Sequence, residues 1–275
     1  MLMQASGDIA MLIAAARAQR RNVLSEPEAK AFLRAQGIPI PPGRAVSHAE
    51  EAPAVVRELG VPVVVKAVAH QLTHKTDVGA VMFPVESPAA AEAACRTIAA
   101  RVATHRPDIA LDGFLIEAYR PAQPEWIVAL RNDPHFGPVI MFGLGGIYVE
   151  TLRQVSFRLA PLRDRDIEAL LSERPAMRLF SGARRRAPPD RRAVVGVLRR
   201  LSDLSQQPLI VRDISEIEIN PLAATENGVL ALDALIVLHS RRITDARHHA
   251  AGRATVNRGD RRLGQPREIG RCPVR

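Results

Sequence analysis

One segment in the last quarter of the chain carries acidic and amide side chains at every second position. In EIEIN (216–220), polar and apolar residues alternate, so a β-strand would place Glu218 and Asn220 on the same face. Asp233 follows on the segment that is predicted to return beside this strand. An amide oxygen and a carboxylate facing one cleft suit Mg²⁺, which completes its shell with phosphate oxygens and water. Taken alone, the pattern favours the polar outer face of an amphipathic sheet.

Lysine is rare in this chain. Of 38 basic residues, only Lys30, Lys66 and Lys75 are lysines, and the last two lie within ten residues of each other. Their proximity hints at a need for a compact ammonium, which arginine cannot replace. Lys66 lies inside the apolar stretch VVVKAV (63–68), where its ammonium must reach solvent or find an anion. A phosphate and a structural carboxylate meet this requirement equally well.

A histidine belongs to the polar segment that follows. HQLTHKTD (70–77) contains His74, and an imidazole with a pKa near neutrality can act as a nucleophile toward phosphorus. Lys75 would then neutralise the phosphate, and Asp77 would orient an imidazole. On its own, the segment is more typical of a solvated surface loop.

Three glycines lie close together in FGLGG (142–146). Gly143, Gly145 and Gly146 offer backbone N–H groups to an anion. The stretch is not a P-loop, because no Gly-Lys-Ser/Thr follows it. Glycine-rich loops are common, so this signal is weak.

The elements that must position these residues follow from hydrophobic periodicity and turn residues. Helices are predicted at 25–37, 47–60, 88–104, 164–173 and 190–207, in addition to an amphipathic N-terminal helix. Strands are predicted at 63–68, 81–85, 113–119, 125–131, 138–142 and 157–162, followed by a hairpin over 214–238 with its turn at Asn227-Gly228. Helices and strands do not alternate strictly, which predicts an α+β fold of two lobes.

The amino-acid composition argues against a membrane-spanning, disulfide-rich or secreted protein. The chain is 47% hydrophobic and 24% charged, as expected for a globular protein, and no apolar stretch is long enough to cross a bilayer. The two cysteines, Cys95 and Cys272, make a disulfide framework unlikely and favour the cytoplasm. Acidic Asp8 precedes the first apolar run, which argues against a signal peptide.

The net charge of +9 is concentrated at one end. Residues 239–275 hold ten arginines against three acidic residues, a surplus of seven, so the other residues are nearly neutral. This Arg-rich tail has few large apolar residues and is predicted to be disordered. A solvated tail is favoured over RNA or membrane-surface binding, so nucleic acid is not the expected partner.

Four segments, taken together and in order, resemble one family. They are VVVKAVAHQLTHKTDVGAV (63–81), DPHFGPVIMFGLGGIYVETLRQVSFRLAPL (133–162), SGARRRAPPD (181–190) and EIEINPLAATENGVLALDALIVL (216–238). The region from about Leu24 to Leu238 is similar to the ATP-grasp region of ADP-forming acetyl-CoA and acyl-CoA synthetases, relatives of succinyl-CoA synthetase. The resemblance implies a two-lobed ATP-grasp fold, with a helical lead-in (1–38), lobe one (39–112) and lobe two (113–238).

The resemblance also implies roles for residues at the nucleotide. Lys66 matches the strand lysine that contacts nucleotide phosphates. Glu117 matches the strand that meets adenine between the lobes, and Glu125 a glutamate of the nucleotide site. The three glycines of the 142–146 stretch match the loop near the acyl-phosphate chemistry.

Phosphoryl transfer is implied by four further positions. His74 matches the histidine that takes the phosphoryl group, and Glu218 a carboxylate that steadies phosphohistidine. Asn220 and Asp233 match the Mg²⁺ ligands. The implied activity is the reversible conversion of acid, CoA and ATP to acyl-CoA, ADP and phosphate. No CoA-binding domain is recognisable in these residues, so a separate alpha subunit is the expected partner.

The sequence departs from the family pattern at three places, which keeps other functions open. Ala80 stands where the family has a second glycine, Gln154 where it has aspartate, and Arg185 where it has glycine after arginine. One alternative is a regulatory subunit, for example in a lysine acetyltransferase assembly. Another is a nucleotide-binding scaffold without turnover.

Overall fold

Two antiparallel sheets carry the fold in this computed structural model, which describes residues 2–60, 62–72, 75–121, 124–145, 154–173, 180 and 189–240. Each sheet has its own apolar core. Residues Met1–Ser240 form one compact unit. The tail predicted to be disordered lies, from residue 241 onward, outside the described residues.

The smaller sheet has four strands, in the order β1-β4-β2-β3. They are β1 (Gly43–Val46), β2 (Val63–Val68), β3 (Val81–Val85) and β4 (Gly113–Ala118). A 3₁₀ turn (Ala49–Glu51) leads into α3 (Ala52–Leu59), and α3 and α4 (Pro88–His105) pack against this sheet. Ser87 caps α4 by accepting a hydrogen bond from the backbone N–H of Ala90.

The larger sheet has the order β10-β8-β5-β6-β7, and β9 also pairs with β8. Its strands are β5 (Glu125–Asp133), β6 (Gly137–Leu144), β7 (Val155–Leu159), β8 (Ile214–Thr225), β9 (Gly228–Ala231) and β10 (Ala234–Leu238). Its helices are α1 (Leu2–Ala18), α2 (Glu26–Ala35), α5 (Asp164–Ser172), α6 (Arg191–Leu204) and α7 (Pro208–Asp213). The short α7 is not predicted from the sequence.

The predicted boundary between the lobes needs correction. The sequence predicts that the strand beginning at Gly113 belongs to the second lobe, but β4 lies between β1 and β2 in the smaller sheet. The step to the larger sheet therefore comes after Ala118. Nor are α1 and α2 a separate lead-in, because Ile9, Ile13 and Leu33 are buried in the core of the larger sheet.

The C-terminal hairpin is confirmed with one change. Thr225 pairs with Gly228 across the predicted Asn227-Gly228 turn. The returning segment is not one strand, because β9 ends at Ala231 and β10 begins at Ala234. The break between them exposes a backbone carbonyl and a carboxylate to the opposite sheet.

Helix α2 begins with the N-terminal capping pattern that its sequence predicts. Ser25 has an extended backbone, and its N–H donates to the Glu28 carboxylate at 2.7 Å. The four-residue spacing of Glu26 and Lys30 places both on one helix face, where both are buried. Within the described ranges, no helix combines the length and apolar character needed to cross a bilayer.

Candidate nucleotide and metal site

A cleft of about 890 Å³ opens between the two sheets. Lys66 and Glu117 line it from the smaller sheet, and Glu125 and Asp233 line it from the side of the larger one. Four residues whose side chains the sequence implicated therefore share one cavity. The N-terminal side of α6, at Asp190, also contributes to its wall.

All three lysines of the chain meet in one buried cluster, of which Lys66 also lines the cleft. The Lys66 Nζ donates to Glu26 Oε1 at 2.7 Å, and Lys30 Nζ lies 2.9 Å from the same oxygen. The Lys75 Nζ lies 2.8 Å from the other oxygen, Glu26 Oε2. One carboxylate thus binds three ammonium groups that come from three separate segments.

Two more carboxylates complete the cluster. Lys30 Nζ donates to both Glu117 oxygens, at 2.6 and 2.5 Å, and Lys66 Nζ lies 3.0 Å from Glu117 Oε2. Lys75 Nζ lies 3.1 Å from Asp233 Oδ2. Three positive and three negative side chains therefore balance, which is the condition under which burying charge is tolerated.

The break between β9 and β10 provides a seventh polar group. The carbonyl oxygen of Leu232 accepts hydrogen bonds from Lys66 Nζ at 2.5 Å and from Lys30 Nζ at 2.7 Å. A continuous strand would have used this carbonyl in the sheet. The irregular backbone is therefore part of how the lysines are held.

Electrostatics in the cluster follow from burial and neighbours. Burial opposes the charge of Glu26, but the three lysines outweigh it and hold the pKa of this carboxyl well below its usual range. Burial also opposes the charge of Lys66, yet Glu26 and the carboxylate of Glu117 raise the pKa of its ammonium well above the usual range. Burial and the charge of Lys66 lower the pKa of Lys30.

The predicted metal ligands lie together, Asn220 on β8 and Asp233 in the break between β9 and β10. The backbone N–H of Asn220 donates to the carbonyl of Asp233 at 3.3 Å, and the Asp233 side chain is one-third exposed toward the cleft. Glu218 lies on the same face of β8 and hydrogen-bonds to the Asn220 side chain. Burial and neighbouring Glu216 raise the pKa of Glu218, while burial and Glu26 raise the pKa of Asp233.

This donor set fits Mg²⁺ that arrives with phosphates. Among the described residues, no three His, Cys, Asp or Glu side chains form a group that would hold a metal ion by themselves. One carboxylate and one amide supply hard oxygen ligands, and Mg²⁺ commonly takes the remaining positions from phosphate and water. The site would therefore hold a free ion weakly and a metal–nucleotide complex more tightly.

The two glutamates predicted for the nucleotide site both line the cleft but differ in their contacts. Glu125 is partly buried at the cleft, and burial raises the pKa of its carboxyl. Glu117 lines the cleft too, but its carboxylate is held by Lys30 and Lys66. Its contact with adenine remains a prediction.

Backbone packing explains why glycine occupies the described positions of the 142–146 stretch. A β-carbon on Gly143 would overlap the carbonyl oxygen of Gln154, and one on Gly145 would overlap the backbone of Trp126. Close approach of strands thus requires glycine there, independent of any ligand. Their predicted role in nucleotide binding stays a prediction. Gly146 and the predicted nucleophile His74 lie outside the described residues.

The family departures differ in their structural consequences. Ala80 is buried, its N–H donates to the carbonyl of Lys75 at 2.8 Å, and positive φ is confined to the preceding Gly79. Alanine is therefore compatible with this turn. Gln154 has an exposed side chain beside Gly143. Arg185 lies outside the described residues.

Sequence reasoning missed Glu26 and Lys30 as members of the site. The available signal was their four-residue spacing on a helix, together with the scarcity of lysine, which includes Lys30. It also missed an aromatic pair at the cleft. The rings of Phe83 and Tyr119 stack with centroids 5.8 Å apart, and both residues line the cavity.

The cleft is lined by Lys66 from one sheet and by Glu125 and Asp233 from the side of the other, an arrangement that suits a nucleotide. A family model described as an ATP-grasp domain matches residues 15–238. The predicted α+β, two-lobed ATP-grasp fold is thereby confirmed as a fold class.

Sequence relatives indicate which ATP-grasp proteins this chain is similar to. The chain is 38% identical over 227 residues to the beta subunit of acetate–CoA ligase (ADP-forming) I from Pyrococcus furiosus, covering 82% of this chain and 96% of that subunit. It is 34% identical to the beta subunit of ligase II from the same organism, over 84% and 98% of the two chains. In acetate–CoA ligase I of Archaeoglobus fulgidus, which is 36% identical, the matching region is 30% of a longer chain.

A solved structure of an acetyl-coenzyme A synthetase has the same fold as this chain. Acetyl-coenzyme A synthetase 1 of Ca. Korarchaeum cryptofilum, in complex with coenzyme A and Ca-AMPCP, superposes with a TM-score of 0.78 at 38% identity, over 83% of this chain and 98% of that chain. The chain therefore belongs to the beta-subunit family of ADP-forming acetate–CoA ligases.

Proposed function

We propose that this chain is the nucleotide-binding beta subunit of an ADP-forming acyl-CoA synthetase, which interconverts acid, CoA and ATP with acyl-CoA, ADP and phosphate. The observation that carries the proposal is that Lys66 and Asp233 line one cleft between two sheets, with Lys75 paired to Asp233. Cations on one side and a metal ligand on the other are what a polyphosphate requires.

The lysines would neutralise phosphate oxygens. Lys66 lines the cleft from β2 and has a pKa raised by Glu26 and the carboxylate of Glu117 against the opposing effect of burial, so it stays protonated at neutral pH. Asp233 and Asn220 would hold Mg²⁺, which when bound neutralises charge on the transferring phosphoryl group. Phe83 and Tyr119 offer an aromatic surface for the base.

His74 would take the phosphoryl group. It directly precedes Lys75, and Lys75 is held at Asp233. In the forward direction, an imidazole nitrogen forms the bond to the γ-phosphorus while the bond to the ADP oxygen breaks. Glu218 would accept a hydrogen bond from the other ring nitrogen and so orient the imidazole.

A second subunit would complete the reaction. The Pyrococcus relatives are named as beta subunits, and the Archaeoglobus relative joins the corresponding region to a longer chain. We infer that a separate alpha subunit binds CoA and the acid. Acid specificity would then lie mainly in that partner.

Labelling with γ-³²P-ATP and Mg²⁺ tests the proposal. Wild type should acquire acid-labile, base-stable label, and His74→Ala and Asn220→Ala should lose it. His70→Ala is the matched control, because this second histidine of the same segment is partly exposed near Asp112. The same samples are repeated with alpha subunit and acyl phosphate.

The outcomes separate the rival functions. Label that survives in His74→Ala would contradict the assigned nucleophile. ATP binding without label under either condition would instead support a non-catalytic or regulatory subunit, such as one in a lysine acetyltransferase assembly.

A further inference from the structure

Lys75 is shared between two carboxylates of unequal exposure. Its Nζ lies 2.8 Å from Glu26 Oε2, and 3.1 and 3.3 Å from the two oxygens of Asp233. The Asp233 side chain is 33% exposed, whereas that of Glu26 is 2% exposed. A cation entering from the cleft would therefore meet Asp233 and not Glu26.

The contacts to Asp233 use the oxygens that a metal ion would need. Both of its oxygens lie within reach of Lys75, and Oδ1 also accepts the backbone N–H of Ala234 at 2.8 Å. Each carboxylate oxygen has two lone pairs, but an ammonium this close repels a divalent cation that binds the same carboxylate. We therefore expect Lys75 to give up this contact when a metal binds Asp233.

Glu26 can hold the Lys75 ammonium after its contact with Asp233 is lost. Its contact with Lys75 is the shorter of the two, and the carboxylate is fixed by Lys30 and Lys66 as well. When released from Asp233, the Lys75 ammonium would keep one buried partner and have donors available for a phosphate. No charge would be left buried and unpaired during the exchange.

We propose that Lys75 is a resident cation that occupies Asp233 until a divalent metal arrives, and that Glu26 is the positioning residue that retains Lys75 after the exchange. This inference rests on the proposed function, because it takes Asp233 as a metal ligand. It assigns a role to Glu26 and makes Lys75 a competitor of the metal as well as a partner of phosphate.

Binding of Mn²⁺ alone, followed by electron paramagnetic resonance of the free ion, tests the exchange without turnover. Lys75→Met removes the competitor and should tighten Mn²⁺ binding by about threefold to tenfold. Glu26→Gln removes the alternative partner, so that Lys75 relies on Asp233, and should weaken Mn²⁺ binding by a similar factor. The two variants change affinity in opposite directions.

Lys30→Met is the matched control. It removes the same charge from the same cluster, but Lys30 contacts Glu26, Glu117 and the Leu232 carbonyl, not Asp233. It should therefore tighten Mn²⁺ binding less than Lys75→Met does. If Glu26→Gln or Lys30→Met does not fold by circular dichroism, Lys75→Met compared with Lys75→Arg, which keeps the charge, decides the question.

The result also separates this inference from the proposed function. Equal tightening in Lys30→Met and Lys75→Met, or unchanged affinity in Lys75→Met, would overturn the exchange alone. Asp233→Asn should abolish Mn²⁺ binding. If it does not, the metal site itself is wrongly assigned and both proposals fail at that residue.

Discussion

Glu26 and Lys66 are 40 positions apart in the chain, and the carboxylate Oε1 of one lies 2.7 Å from the Nζ of the other. The first residue starts helix α2, which packs with the larger sheet, and the second lies on β2 of the smaller sheet. This ion pair therefore ties the two halves of the cleft together.

Replacing Lys66 should weaken nucleotide binding. Lys66→Met removes a charged donor from the cleft, and we expect the Kd for Mg²⁺-ADP to rise by about tenfold to a hundredfold in isothermal titration calorimetry. Arg131→Met is the control, because Arg131 is exposed and pairs with Glu216 away from the cleft. Equal losses in both variants would contradict a specific phosphate contact.

Neutralising Glu26 should destabilise the fold. Glu26→Gln leaves three buried lysines with two carboxylates, and we expect the free energy of unfolding to fall by about 3–5 kcal/mol in chemical denaturation. Glu58→Gln breaks an exposed pair with Arg44 and should cost about 1 kcal/mol or less. Similar losses would mean that the cluster is not the source of the effect.

The contribution of Glu26 should depend on pH. Its pKa is lower in the folded chain than in the unfolded one, so its ionisation stabilises the fold above the unfolded pKa and this stabilisation is lost as the pH falls through the folded value. The difference in free energy of unfolding between wild type and Glu26→Gln should therefore be largest near neutral pH and shrink below about 4.5. Denaturation curves across this range measure it. Exposed Glu58→Gln should follow wild type, and a difference that grows toward acid pH would contradict the sign.

Glu218 should support the phosphorylated state more than ATP binding. Glu218→Gln removes the carboxylate that would orient His74, so the yield of acid-labile label should drop by about tenfold or more while Kd for ATP changes little. Glu216→Gln is the control, because Glu216 lies on the same strand and face as Glu218 but pairs with Arg131. Loss of label in Glu216→Gln and not in Glu218→Gln would reverse the assignment.

Local patterns predicted much of what lines the cleft. The alternation in β8 puts Glu218 and Asn220 on one face, and the apolar run around Lys66 forms β2 over the predicted residues. The open choice for Lys66 between phosphate and carboxylate is resolved here in part, since its Nζ donates to the Glu26 carboxylate.

The remaining features depend on contacts that no local pattern encodes. Lys30 binds Glu117 across 87 positions, and a lysine on an amphipathic helix ordinarily faces water. Strand β4 joins the smaller sheet because of its pairing with β1 and β2, and the sequence of a strand does not specify its partners. The break at Leu232 and Asp233 likewise arises where two strands pair with different parts of β8.

The most direct test of a nucleotide site between the two sheets uses the scarcity of lysine. An acyl phosphate of ADP transfers its acyl group to lysine side chains beside bound phosphates, and mass spectrometry can resolve all three lysines of this chain. We predict acylation of Lys66 or Lys75, prevented by Mg²⁺-ADP, with Lys30 unmodified because it is buried and does not line the cleft. Acylation of Lys30 alone, or modification that Mg²⁺-ADP does not prevent, would contradict a nucleotide bound between the two sheets.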